Sequence, residues 1–181
     1  ISKTVPVNAS KYLVNPSFER DITQGWTTNE GAMVRQSNES FPLKSGTYYA
    51  EKWMSSGGAL TGINLSQTVL LPNGNYTLKA SAQAIQQSDG TFPGGAYIMA
   101  NTQGVEVTAA GEYSVDVDVT DETLAVGFQV IQSGNWVSLD NFKLISNTTG
   151  LKNKYSLTGV NTFILNNRIH ADITLANTAV T

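Results

Sequence analysis

Apolar and polar residues alternate with a period of two along much of this chain. Tyr76-Thr77-Leu78-Lys79-Ala80-Ser81-Ala82 places apolar side chains on one parity and polar ones on the other, which predicts a strand with one buried face. Tyr113–Val119 and Leu124–Val130 repeat the pattern on either side of the turn-like Thr120-Asp121-Glu122, and predict an antiparallel pair. Turn signals at Asn73-Gly74, Asp89-Gly90, Pro93-Gly94-Gly95, Ala110-Gly111 and Ser133-Gly134-Asn135 leave short strands between them. Strands are expected near 13–18, 33–36, 47–54, 65–70, 76–84, 96–100, 113–119, 124–130 and 136–145. No long segment has a helical period. Many short, evenly spaced strands predict an all-β protein, an antiparallel β-sandwich of the jelly-roll kind.

The pattern breaks at two places. Apolar parity is odd at Val137 and Leu139 but even at Phe142 and Leu144, which predicts a kink near Asp140-Asn141. Beyond Ile145 the polar stretch Ser146–Gly150 reads as a linker, and Tyr155–Thr181 as two further strands too few to build a core alone. The expected division is a sandwich over 1–146 and a linker with a β-rich C-terminal extension over 147–181, either part of a second domain or two strands added to the sandwich edge.

Composition narrows the function classes. The chain has 181 residues, enough to bury a core without staples, and it contains no cysteine, so disulfide, thiolate and zinc-thiolate chemistry are excluded. A net charge of -3 supplies no basic face, which argues against nucleic acid as a partner. No apolar run reaches the ~20 residues of a membrane-spanning helix, so membrane insertion is not expected. The start of the chain lacks the layout of a signal peptide and reads as a mature, soluble product.

Three segments together resemble the galactose-binding-domain-like jelly rolls that include many carbohydrate-binding modules of bacterial glycoside hydrolases. They are Asn15-Pro16-Ser17-Phe18-Glu19 with Gly25-Trp26, Leu71–Leu78, and Trp136-Val137-Ser138-Leu139-Asp140-Asn141-Phe142-Lys143-Leu144. The resemblance covers roughly residues 10–146 and implies a secreted or cell-surface protein whose partner is a polysaccharide or glycan. It also implies that a glycoside hydrolase domain can share the parent chain. For a metal it implies structural calcium, held by the carboxylates of Glu19 and Asp140 and by carbonyls near Lys44. Calcium takes six to eight hard oxygens, and tying the first motif to the last would substitute for absent disulfides. The alternatives from the residues themselves are a solvated Glu19 and an Asp140 that caps its own bulge. Phe163–Ile173 resembles the opening strands of bacterial C-terminal sorting domains.

A sugar offers apolar C–H faces and a rim of hydroxyls, so its site pairs an exposed aromatic platform with polar side chains. Trp136, after the loop Gln132–Asn135, and Trp53 are the expected platforms. Tyr97, Gln86, Phe92 and Asn135 join them as ligand-binding candidates, and Gln83 is a further polar one; Trp26 is expected in the core. No pair of carboxylates reads as a glycosidase couple, Glu51 standing alone among aromatics, and the single histidine, His170, reads as a surface residue. A non-catalytic module is therefore expected. The alternative is a structural or adhesin-like sandwich with a protein partner and no sugar site, in which every candidate aromatic is buried.

Overall fold

The computed structural model describes residues 6–29, 33–55 and 57–147, and the backbone of 155–165 and 168–177. The chain divides into two compact units, Val5–Thr148 and a smaller one that holds Thr149–Thr181. In the larger unit the strands are β1 (Val7–Asn8), β2 (Thr27–Thr28), β3 (Val34–Gln36), β4 (Tyr49–Trp53), β5 (Thr61–Leu70), β6 (Gly74–Ile85), β7 (Ala96–Ala100), β8 (Gln103–Glu106), β9 (Gly111–Val119), β10 (Thr123–Gln132) and β11 (Trp136–Ser146). A 3-10 turn spans Ser10–Tyr12. In the smaller unit β12 (Tyr155–Leu165) and β13 (Arg168–Asn177) form a two-stranded antiparallel hairpin, with Phe163 opposite His170 and Asn161 opposite Asp172. The side chains of that segment lie outside the described residues.

Two antiparallel sheets make the sandwich. One is six-stranded, ordered β3-β4-β11-β6-β9 with β1 against β11, and the other five-stranded, ordered β2-β5-β10-β7-β8. Their facing sides form one core: Leu78, Ala80, Ala82, Val137 and Leu139 from the first sheet meet Leu65, Ile98, Leu124, Val126 and Phe128 from the second. This is the expected jelly roll.

Three expectations are corrected. Strands β9 and β10 do not pair with each other: β9 pairs with β6 and β10 with β5 and β7, in different sheets. Period-two alternation reports that one face is buried, and the two strands bury theirs from opposite sides of the same core. Residues 13–18 are not a strand. Asn15 and Phe18 take left-handed backbone angles (φ 50° and 52°), and the Asn15 side chain accepts from Arg20 N and donates to the carbonyls of Arg20 and Asp21, closing a loop. The third is the list of strands, which lacked the two-residue β1 and β2 and the edge strand Gln103–Glu106, which the polar run after Asn101 did not advertise.

The kink in β11 is present. The register with β6 shifts between Asp140 and Lys143, and Asn141 sits at φ 62°, so Phe142 and Leu144 regain the core face that Val137 and Leu139 occupy. The opening motif docks here. Phe142 N donates to Pro16 O at 2.9 Å, and the Phe18, Trp26 and Phe142 rings form a buried cluster with centroids 4.8–6.1 Å apart.

Candidate functional site

Because side chains alternate across a strand, Trp53, Glu51 and Tyr49 of β4 point away from the core, as do Trp136, Ser138 and Asp140 of β11 and Ile85, Gln83 and Ser81 of β6. Pairing arranges them in transverse rows. Trp53, Trp136 and Ile85 make one row; Val34, Glu51, Ser138 and Gln83 make the next, across four strands about 4.8 Å apart. The outer face of the six-stranded sheet thus carries an aromatic row beside a polar row.

Trp53 is 54% exposed and is the one large aromatic among the exposed apolar residues described. Trp136, expected as an exposed platform, is only 9% exposed, and its indole Nε1 donates to Glu51 Oε2 at 3.0 Å. That is the correction to its expected role: it fixes Glu51 and leaves Trp53 to offer the open ring. The Tyr49 hydroxyl lies 3.0 Å from the same carboxylate oxygen and 2.7 Å from Asn38 Oδ1, and Gln36 Nε2 donates to Glu51 Oε1 at 3.3 Å. Burial, and then the negative charge of Glu51, push the Tyr49 hydroxyl above its usual range, so it stays a donor.

Two atoms of the polar row have no protein partner: Gln83 Nε2 and Ser138 Oγ are buried and unbonded. Each such orphan costs about 1–3 kcal/mol, a cost removed when a hydroxyl or water reaches it.

The other expected ligands are scattered. Asn135 is fully buried; its Oδ1 accepts from Gln87 N and its Nδ2 donates to Met54 O and Gln87 Oε1, so it clamps three loops and has nothing left for a sugar. Gly134 beside it passes so close to β6 that a Cβ would lie 2.3 Å from Ile85 O, which explains the glycine. Gln87 also accepts from Trp53 Nε1, so the clamp fixes the exposed indole. Gln86 lines an open cleft of about 490 Å³ at this end of the sandwich, with Thr91, Pro93, Gln132 and Ser133, and Phe92 is half-buried beside it. Tyr97 lies on β7 of the opposite sheet, its hydroxyl 3.4 Å from Glu106. The structure therefore joins Trp53 and Trp136, sets Gln86 and Phe92 in a neighbouring loop, and separates Tyr97. Glu51 and Ser138 were not anticipated as ligands; their only signal was a shared parity with Trp53 and Trp136.

The opening and closing motifs meet at a second cluster. Glu19 Oε1 accepts from Thr47 N and Tyr48 N, while Asp140 accepts from Ser45 N and Asn141 N, both at 2.6 Å. Both carboxylates thereby hold the loop 44–48. Gly46, at φ 81°, lets Glu19 approach: a Cβ there would lie 2.3 Å from Oε1. Asp140 is fully buried, and desolvation, with Glu19's charge adding to it, pushes its carboxyl up to about 7 against the pull of the Ser45 and Asn141 amides. Lys44 turns its ammonium to Glu39 and to the carbonyls of Ser37 and Thr47. Asp140 thus caps its own bulge through Asn141 N; a cation here would have to share these carboxylate oxygens with backbone amides and take carbonyls and water besides, since no three acidic, histidine or cysteine residues cluster among the described residues.

No protein-family model matches the chain, and no curated protein is similar to it. Solved structures are. The carbohydrate-binding module TmCBM61 in complex with β-1,4-galactotriose matches with a TM-score of 0.59 at 19% identity, over 75% of this chain and 97% of the module. A Stig cyclase, Fisc, from Fischerella sp. TAU matches at 0.55 and 16% identity, over 81% of this chain and all of the cyclase. A sugar-binding protein described as such from Bacteroides thetaiotaomicron matches at 0.50 and 11% identity, over 75% and 99%. The cyclase means that fold alone does not separate binding from catalysis. From its paired sheets and these likenesses, the larger unit of this chain is a jelly roll of the kind found in carbohydrate-binding modules.

Proposed function

We propose that this protein is a non-catalytic module that binds polysaccharide on the outer face of its six-stranded sheet, with Trp53 as the platform and Glu51, Ser138 and Gln83 as the hydrogen-bonding row. Trp53 beside Glu51 carries this reading: an exposed indole lies one row from a half-buried carboxylate held in place, the pairing of apolar and polar groups that a sugar ring satisfies. The unbonded Gln83 Nε2 and Ser138 Oγ beneath the same row would be completed by small side-chain shifts that admit a hydroxyl or water. Hydrolysis would need a second carboxylate across the groove from Glu51, at about 5–9.5 Å; its neighbours in the row are Val34, Ser138 and Gln83. The ligand of TmCBM61 makes β-1,4-galactan the first polymer to try. Such a ligand lies outside the cell, which supports a secreted or surface protein, and a glycoside hydrolase in the same parent chain would use the module as a substrate anchor. Calcium bound by Glu19 and Asp140 would brace the loop 44–48.

Titrating Trp53→Ala with the polysaccharide selected on a glycan array tests the site. Affinity is expected to fall at least about 30-fold, as for a hot-spot aromatic, with the melting temperature almost unchanged, because this ring is more than half exposed. Undiminished binding would move the site elsewhere, the cleft beside Gln86 first. Array silence from the unaltered chain would leave the sandwich as a spacer or adhesin-like domain.

Gln83→Leu separates a ligand-binding side chain from a structural one. Removing a buried, unbonded amide is expected to stabilise the fold by about 1 kcal/mol while weakening glycan binding about tenfold or more, read by calorimetric titration and thermal melting on the same samples. Loss of both stability and binding would make Gln83 a packing residue.

A further inference from the structure

Glu51 is the charged group in the row that Trp53 overlooks, and its position is fixed from several directions. Trp136 Nε1 holds Oε2, Tyr49 reaches the same oxygen, and Gln36 makes a long bond of 3.3 Å to Oε1, which keeps acceptor capacity for a ligand. No ion pair joins the carboxylate to a described residue. Its companions across Ser138 are complementary: Gln83 Nε2 is a donor without an acceptor, and Ser138 Oγ serves either way. A sugar hydroxyl can donate to Glu51 while its neighbour accepts from Gln83. A sugar carboxylate or sulfate has no proton to donate to Glu51, and meets a like charge there at close range in a partly desolvated site.

We infer that Glu51 is a specificity-determining residue that restricts this face to uncharged polysaccharides and rejects uronate-bearing or sulfated ones. The inference rests on the sheet face being the sugar site. The overall charge of -3 adds only a diffuse repulsion that salt screens, whereas a carboxylate in contact with the ligand acts through a distance far shorter than the ~8 Å screening length.

The test uses neutral hexose polysaccharides, each beside its C6-oxidised form in which a carboxylate replaces the primary hydroxyl. Affinities are measured at about 150 mM salt for the unaltered chain, Glu51→Gln, Trp53→Ala and Asp121→Asn, the last removing one charge from the exposed turn between β9 and β10. The unaltered chain is expected to prefer the neutral member of each pair by at least about tenfold. Glu51→Gln, which keeps an acceptor oxygen and removes the charge, should shrink that preference to about twofold or less; Asp121→Asn should leave it intact. Equal binding of both forms by the unaltered chain, with Trp53→Ala still abolishing binding, overturns the inference and leaves the site standing. A preference that survives Glu51→Gln, or that Asp121→Asn erases equally, overturns it too. No binding to either form overturns the site and the inference together.

Discussion

Replacing Trp26 by alanine is expected to cost about 3–5 kcal/mol, a large part of the 5–15 kcal/mol that holds a domain of this size together. The indole is 4% exposed, packs against Phe18 and Phe142 with centroids 5.3 and 4.8 Å away, and donates its Nε1–H to Asn15 O at 2.9 Å. Deleting it opens a cavity and removes the donor that holds the Asn15 carbonyl, so the opening motif loosens and Pro16 loses its seat on Phe142 N. A drop in melting temperature of roughly 10–15 °C should follow. Trp26→Phe, which refills most of the space without the hydrogen bond, should recover more than half of it. Denaturant titration of both variants decides: a cost under about 1 kcal/mol for alanine would mean that the aromatic cluster is not what couples the two motifs.

Calcium and pH should act on stability through Asp140 with opposite signs. Without metal, burial pushes its carboxyl up to about 7 in the folded chain from an ordinary 3.8, so between these values the folded state binds more protons than the unfolded one. Stability therefore falls as pH rises from about 4 to 7 and levels off above, by at most about 4 kcal/mol for three units at ~1.4 kcal/mol each. Asp21, Asp89, Asp121 and Glu112, held below their usual range mainly by Thr23, Thr91, Thr123 and Lys79, contribute stability that is present above the carboxylate range and lost only as pH drops below it. Their loss sets in below about pH 5, so the fall between about pH 5 and 7 belongs to Asp140. Calcium needs the ionised form, so the gain in melting temperature on adding it should grow across that window, from little near pH 5 to several degrees near pH 8. Asp140→Asn should flatten both trends. A calcium effect that does not change with pH would remove Asp140 from the ligand set, and no effect at pH 8 would remove the metal.

How much of this was readable beforehand depended on the range over which each signal acts. The bulge at Asp140-Asn141 was legible because a switch of apolar parity within one strand has a single local cause. The core strands β6, β7, β9 and β10 were legible for the same reason. Partner choice was not: nothing in the alternation of Val115, Val117 and Val119 says that they face Val126 and Phe128 across a core and not along a ladder. The segment 13–18 misled because Leu13, Val14 and Phe18 carry strand propensity, while Asn15 decides the backbone through its own side-chain bonds. At the candidate site the aromatic residues were identifiable by type. Their exposures were not, since Trp53 and Trp136 sit opposite each other in one row and differ only in what surrounds them. The row Glu51–Ser138–Gln83 combines residues 87 positions apart at its extremes (138 less 51), and it becomes visible only once β4, β11 and β6 are known to be neighbours.

The short ladder between β1 and β11 has a mechanical consequence. Val7 lies opposite Ser146 and Asn8 opposite Ile145, so the strand that opens the sandwich and the strand that closes it meet antiparallel, with entry and exit side by side. Tension applied through polypeptide attached at both places would not shear the sheets. It would unzip this two-residue ladder one bond at a time, and the force would then reach Ala9 N on Leu144 O and the Ser10 hydroxyl on the Leu144 backbone. Under such a load the sandwich would yield first at this corner, with the aromatic row and the loop 44–48 still in place.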